Sequence, residues 1–330
     1  MVQRAKLSDV ARLAGVSQAT ASRVLNGLGT VDPTLAERVH DAKRKLGYRS
    51  NSLARGLRRR ANNVVGVVVP DVTNPFFTDV VRGVEDAISP SGHLLVLCNS
   101  DESAVKERQY LGLLVDQQVA GVVIAPVHES EEGIAAVLDG TPAVAVDRRL
   151  QLPGVDSVTL DNVGGAKELV RFLLQRTPDV AIIAGPVTST TGRERLQGYR
   201  EAIEEAGLHS RLDWIVEGDY SESGGYEAAM RLLEAEAMPS AIFSANNLMA
   251  QGLLRALAER GIDREALALA SFGPLGRAPG VGWGAVSSVA SLDLPSYEIG
   301  ARAAAMLLER IDGLDVEARS ERLEHGSVLT

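Results

Sequence analysis

Gln18, Ser22, Arg23 and Asn26, with Ala19 among them, fall on one side of a short helical run, while Ala21, Val24 and Leu25 fall on the other. Side chains that pair hydrogen-bond donors with acceptors on a short helix suit base edges in a major groove. An ordinary helical hairpin with a solvated face fits the same twenty residues. A second set lies further along: Asp71, Asn74, Phe76, Phe77, Asp101, Asp147, Arg148, Ser189, Thr191, Asn246 and Asn247 each follow an apolar run. Hydrogen-bonding groups beside aromatic rings suit a hydroxylated small molecule such as a sugar, whose flat faces stack on rings. Singly these are ordinary loop residues. Repeated strand after strand, they outline a cleft.

The first set needs helices to carry it. Val10, Leu13 and Ala14 form a helical stripe, and Gly15 supplies the permissive backbone of a sharp turn. Ser17 is placed to cap the second helix. Asp32 followed by Pro33 opens a third, with Leu35, Val39, Ala42 and Leu46 as its buried stripe and Gly47 as its stop. Beyond it, Asn51 caps a short helix over 52–57 that runs into the arginines at 58–60. So short a helix is barely stable alone in water. It reads either as a plain linker or as a hinge that folds on DNA.

Charge separates the two regions. The net charge of −9 over 330 residues hides thirteen Lys or Arg against four acids in residues 1–60, a local +9, and leaves −18 for the other 270. A basic module on an acidic body is the pattern of a nucleic-acid reader joined to something else. One cysteine, Cys98, excludes an intrachain disulfide and a Cys-based metal site. The N-terminus lacks the apolar core of a signal peptide, and no apolar run approaches a membrane span. A cytoplasmic location is expected, with no membrane partner.

Catalysis finds little support. Residues 185–192, GPVTSTTG, are followed by Arg193-Glu194 instead of Lys-Ser/Thr, and no GxSxG elbow occurs. His40, His93, His128, His209 and His325 have no metal-ligand spacing. The expectation is a protein that is not an enzyme, with no cofactor and no metal.

From Val64 onward, nine apolar runs alternate with amphipathic helical stretches. Such alternation predicts an α/β fold with parallel sheets covered by helices. Nine strands are many for one doubly wound sheet, so two similar subdomains are expected, with a changeover near residues 160–162.

At this point the residues resemble a known family. Residues 7–26, the linker NSLARGL, and VPDVTNPFF, the DR at 147–148, the DN at 161–162 and GRERLQGY are similar to the lac repressor/purine repressor (LacI/GalR) family. The resemblance implies a small all-α helix-turn-helix headpiece and an α/β body like a periplasmic binding protein, made of two parallel-sheet subdomains. It implies a transcriptional regulator that binds palindromic, double-stranded operator DNA as a homodimer, with a tetramer as the larger alternative. A small, sugar-like effector in the cleft between subdomains would control it, or else a protein partner or no ligand at all. A headpiece at 1–47, a hinge at 48–62 and a body at 63–330 are expected, the body dividing into 63–161 with 292–318 and 162–291 with 319–330.

Carried over residue by residue, the base-reading positions fall on Gln18, Ala19 and Arg23, and backbone contacts on Ser17, Thr20, Ser22, Asn26 and Thr30. In the hinge, Leu57 takes the place of a leucine wedge in the minor groove, with Asn51, Ala54 and Arg55 beside it. Effector positions fall on Phe76, Phe77, Asp147, Ser189, Thr191, Arg195, Tyr220 and Asn247, within a cleft that also holds Asp71, Asn74, Arg148 and Asn246. Two departures stand out. The usual Asn-Asp pair reads Asn246-Asn247, and the usual GFD or GYD reads SFG, so Gly273 replaces an Asp. Glycine has no side chain with which to accept ligand hydroxyl hydrogens.

Overall fold

The computed structural model describes residues 7–25, 32–46, 63–127, 131–263, 266–275 and 289–330. The chain forms two compact units, 1–62 and 63–330.

In the first unit, α1 (Leu7–Ala14), α2 (Gln18–Leu25) and α3 (Pro33–Leu46) enclose a small core of Val10, Ala11, Ala14, Ala21, Val39 and Ala42. Gly15 has φ +64°, which makes the turn between α1 and α2. Ser17 Oγ accepts the Thr20 N–H at 3.0 Å and caps α2, and Asp32 Oδ1 accepts the Thr34 N–H at 2.8 Å at the start of α3. Two stripe assignments need correction. Leu13 is 53% exposed and Ala11 takes its place inside, because α1 turns its 10-11-14 edge inward; Leu46 at the end of α3 is also exposed.

The second unit holds two six-stranded sheets. The first contains β1 (Val64–Val69), β2 (Leu94–Asn99), β3 (Gly121–Ile124), β4 (Ala143–Asp147) and β5 (Asp156–Leu160). The second contains β6 (Val180–Ala184), β7 (Ile215–Glu217), β8 (Ala241–Ser244), β9 (Ala268–Ser271) and β10 (Val289–Leu292). The nine predicted runs are β1 to β9. Three further strands, β10, β11 (Ser320–Leu323) and β12 (Val328–Leu329), lie outside the predicted runs and complete the sheets, giving orders β11-β5-β4-β3-β1-β2 and β12-β10-β9-β8-β6-β7. All pairings are parallel except β10 with β12. The helices are α4 (Pro75–Ile88), α5 (Ala104–Asp116), α6 (Glu131–Leu138), α7 (Asn162–Leu174), α8 (Thr190–Glu205), α9 (Glu222–Leu233), α10 (Asn247–Glu259) and α11 (Ser296–Ile311). Central strands such as β3 and β6 are wholly buried, as parallel strands covered on both faces must be. At the edge, β2 leaves Leu94, Val96 and Leu97 exposed.

The chain passes between the subdomains three times: before α7, after β10 and after β11. Residues 319–330 were expected wholly in the second subdomain, and this is a correction: β11 pairs with β5 in the first sheet and only β12 returns. An ion network accompanies this pairing. Asp156 on β5 is fully buried and takes hydrogen bonds from Arg310 Nη2 and Arg319 Nη2, both at 2.7 Å. Burial alone would raise the Asp156 carboxyl, but the two guanidiniums outweigh it and hold the group at about 2. Position 319 is thereby tied to the first sheet.

Candidate functional site

On α2, Ser17, Gln18 and Arg23 are exposed and Thr20 is half-buried against the helix start. This leaves Gln18 and Arg23 on an open face. The side chains of Ala19 and Ser22, and all of Asn26, Thr30, Asn51, Ala54, Arg55 and Leu57, lie outside the described residues.

In the body, every strand-end loop predicted to carry polar groups opens at the carboxyl edge of its sheet, where ligands of open α/β sheets bind. A cavity of about 420 Å³ lies there between the two subdomains. Of the residues singled out in sequence, Asp71, Asn74, Phe76, Phe77, Asp101, Asp147 and Arg148 line it from the first subdomain. Thr191, Arg195, Tyr220, Asn246, Asn247 and Gly273 line it from the second. Ser189 is the exception. It is buried behind the wall, where its Oγ accepts the Gly192 N–H at 3.0 Å and caps α8.

The floor is a chain of alternating charges. Glu102 grips Arg148 through Nη1 at 2.7 Å and Nη2 at 2.5 Å. Arg148 Nε, buried without a hydrogen bond, lies 3.7 Å from Asp147. Asp147 in turn lies 3.8 Å from Arg195 Nη2 of the second subdomain. Burial pushes the Asp147 carboxyl up, against the pull of Arg195 and Arg148. Arg195 is held from below by Asn162 Oδ1 at 2.9 Å and the Ala245 carbonyl at 2.8 Å, and stacks 3.8 Å from the Phe272 ring centre. Asn162 stands at the first crossing and also donates to Glu194 at 2.9 Å. Its place in the DN pair was visible in the sequence, but nothing there showed that it holds Arg195.

The walls differ in character. Phe76 and Phe77 meet edge to face with ring centres 5.1 Å apart, and Phe272, Pro274 and Leu294 add apolar surface. At the mouth, Asn74 caps α4 by accepting the Phe76 N–H at 3.1 Å. The same oxygen accepts from Asn247 Nδ2, across the cleft, also at 3.1 Å. Asn246 caps α10 by accepting the Met249 N–H at 2.8 Å and donates to the Tyr220 carbonyl at 3.0 Å. Asp79, Glu102, Asp219, Asp293 and Ser296 also line the cavity. They were not singled out because strand-end position alone does not say how far around a loop the lining extends.

Comparison with known proteins closes the question of kinship. Residues 6–51 match bacterial regulatory proteins of the lacI family, and residues 62–329 match the periplasmic binding proteins and sugar binding domain of LacI family. The chain belongs to the LacI family. Catabolite control protein A of Priestia megaterium is 35% identical, over 77% of this chain and 78% of that protein. The ribose operon repressor of Halalkalibacterium halodurans is 32% identical over 93% and 90%. Among solved structures, a CelR transcriptional regulator in complex with cellobiose has a TM-score of 0.72 and 31% identity, covering 99% of both chains. The lac repressor dimer bound to operator and the anti-inducer ONPF has a TM-score of 0.81 at 24% identity, over 99% and 98%, and shares the fold. This LacI-family chain is a DNA-binding transcriptional regulator with a helix-turn-helix headpiece and a periplasmic-binding-like body. Among the described residues, no helix is long and apolar enough to cross a membrane.

Proposed function

We propose that the regulator is a repressor that binds a palindromic operator as a homodimer and is controlled by a small hydroxylated molecule in the cleft. One observation carries the effector part. The cavity is closed at mouth and floor by contacts between subdomains, Asn247 with Asn74 and Arg195 with Asp147. A molecule entering there interacts with both subdomains, so its binding energy depends on how they close, and only such differential binding can shift a conformational equilibrium. Two-fold symmetry of the protein makes the operator two-fold as well. The exposed apolar edge at Leu94, Val96 and Leu97 supports a second copy as partner. Gln18 and Arg23 read bases from α2, and Leu57 wedges the minor groove.

Operator selection from random duplexes with the full chain, repeated with candidate metabolites added, tests this reading. Recovery of a palindrome whose affinity changes with one metabolite is the expected result. A selected site without dyad symmetry removes the homodimer. A palindrome whose binding responds to no metabolite favours control by a protein partner, for which the internal satisfaction of Asn247 is the supporting observation.

A further inference from the structure

The polar groups around the cavity divide by what they still have to offer a ligand. Asn246 is occupied at both ends of its amide. Asn247 accepts the Leu248 N–H at 3.0 Å and donates to Asn74 at 3.1 Å. The guanidinium of Arg148 is clasped by Glu102, and that of Arg195 by Asn162 and the Ala245 carbonyl. The hydroxyls of Thr191 and Tyr220 bond each other at 2.9 Å. Most of these donors already have a protein acceptor, with Arg148 Nε and Arg195 Nη2 as the exceptions.

Acceptors are in the opposite position. Seven carboxylates and two guanidiniums line the cavity. Asp79 takes Ser296 Oγ on Oδ2 at 3.1 Å, and Asp219 takes the Ser221 N–H on Oδ1 at 2.9 Å. Each keeps a second oxygen with no bond among the described residues, and Asp293 stands exposed at the same cavity. An ionised carboxylate only accepts hydrogen bonds. Position 273 cannot share this role: it is glycine at φ +102°, and a Cβ there would meet Leu294 Cδ1 at 3.0 Å.

We infer that the effector is read through Asp79, Asp219 and Asp293, and that it is a donor-rich compound, neutral or carrying an ammonium group, and not a phosphate or an acid. The inference rests on the reading of the cleft as a small-molecule site. An anion would meet a lining of net negative charge, in which Arg148 is already paired with Glu102 and Arg195 stands 3.8 Å from Asp147. Hydroxyl or ammonium hydrogens find open acceptors, and an apolar ring face finds Phe76.

The test uses the full chain at one ionic strength and a panel of sugars, polyols and nucleosides. Each is offered in matched neutral, amine-bearing and phosphorylated or carboxylated forms; glucose, glucosamine, glucose 6-phosphate and gluconate make one such set. Thermal melting finds the binder, because a ligand of the native state raises the melting temperature, and calorimetry measures its Kd. The expected binder is neutral or aminated, with its anionic counterpart at least tenfold weaker. Asp79→Asn and Asp219→Asn should each weaken it about tenfold while leaving the unliganded melting temperature unchanged, since both side chains are exposed. An anionic form that binds more tightly than its neutral parent overturns the inference, as does unchanged binding by both variants. If no member of the panel shifts the melting temperature, the small-molecule reading itself falls and the inference with it.

Discussion

Asn247 donates to Asn74 across the cleft at 3.1 Å, and the helix that Asn74 opens dictates the direction of that bond. Asn74 Oδ1 is committed to the Phe76 N–H, so the cap presents an acceptor to whatever faces it. An amide at 247 answers it with a donor, which a carboxylate cannot do. A double-mutant cycle with Asn74→Ala and Asn247→Ala should give a coupling energy of about 1 kcal/mol, the net worth of an ordinary hydrogen bond. Asn247→Asp should be worse than Asn247→Ala in thermal melting, because it sets two acceptors against each other. Zero coupling in the cycle means that the mouth is not bridged in solution.

Asp156 gathers Arg310 and Arg319 at a fully buried position. Asp156→Ala leaves the Arg310 charge inside without its partner, and breaking a buried pair in this way costs roughly 3–5 kcal/mol. Chemical denaturation should show that loss in ΔG. Because β11 is pinned through Arg319, amide exchange of residues 320–323 should rise more than that of β12. Equal exchange in the two strands would separate the ion network from strand placement.

Those two networks show what could be read from sequence and what could not. The nine strands were legible because each is an apolar run flanked by polar residues, and the helix caps at Ser17 and Asp32 follow from residue type. The strand VASL escaped because serines break its apolar run, and SERL and VL because they are short, half exposed and carry no apolar run; a buried ion cluster, invisible to periodicity, lies beside the second of these. The cleft lining was legible as a set of strand ends. Which of its members still had capacity to bind was not, because that depends on partners far away in sequence, such as Asn162 for Arg195 and Glu102 for Arg148.

Glu107 on α5 gives the body a pH dependence. The side chain is buried and accepts the Val127 N–H at 2.7 Å. Burial pushes its carboxyl from the ordinary 4.5 to about 7, against the pull of that hydrogen bond and of Arg148. A folded-state pKa above the unfolded value means that the folded chain holds the proton more tightly. Stability from this group is therefore full below 4.5, falls as pH rises to about 7, and is level beyond. The total change is on the order of 3 kcal/mol. Glu107→Gln should flatten ΔG across that window, as measured by urea denaturation from pH 4.5 to 8. A wild-type profile that rises over the same range would contradict the assignment.

Arg23 stands on the open face of α2. An arginine that reads a base contributes specificity at one position, whereas a phosphate contact weakens all sequences alike. Arg23→Ala should cost about 1–3 kcal/mol on the preferred operator and relax selection at one base pair per half-site. The salt slope should change little. A uniform loss across all sequences, with a shallower salt slope, would move Arg23 to the backbone-contacting set.

Gly273 tests whether the family's missing carboxylate can be restored. With φ at +102° and Leu294 Cδ1 only 3.0 Å from where a Cβ would stand, Gly273→Asp meets both backbone strain and crowding. A side chain in such a region costs on the order of 1–3 kcal/mol. Leu294→Ala in the same chain removes the crowding but leaves the backbone term. The double variant should therefore recover part of the melting temperature lost by Gly273→Asp, after allowance for Leu294→Ala alone. Full recovery would mean that Leu294 alone keeps an acid out of this wall. No recovery would place the whole barrier in the backbone of the β9 exit, so that the shift of carboxylate reading to Asp79, Asp219 and Asp293 follows from main-chain geometry.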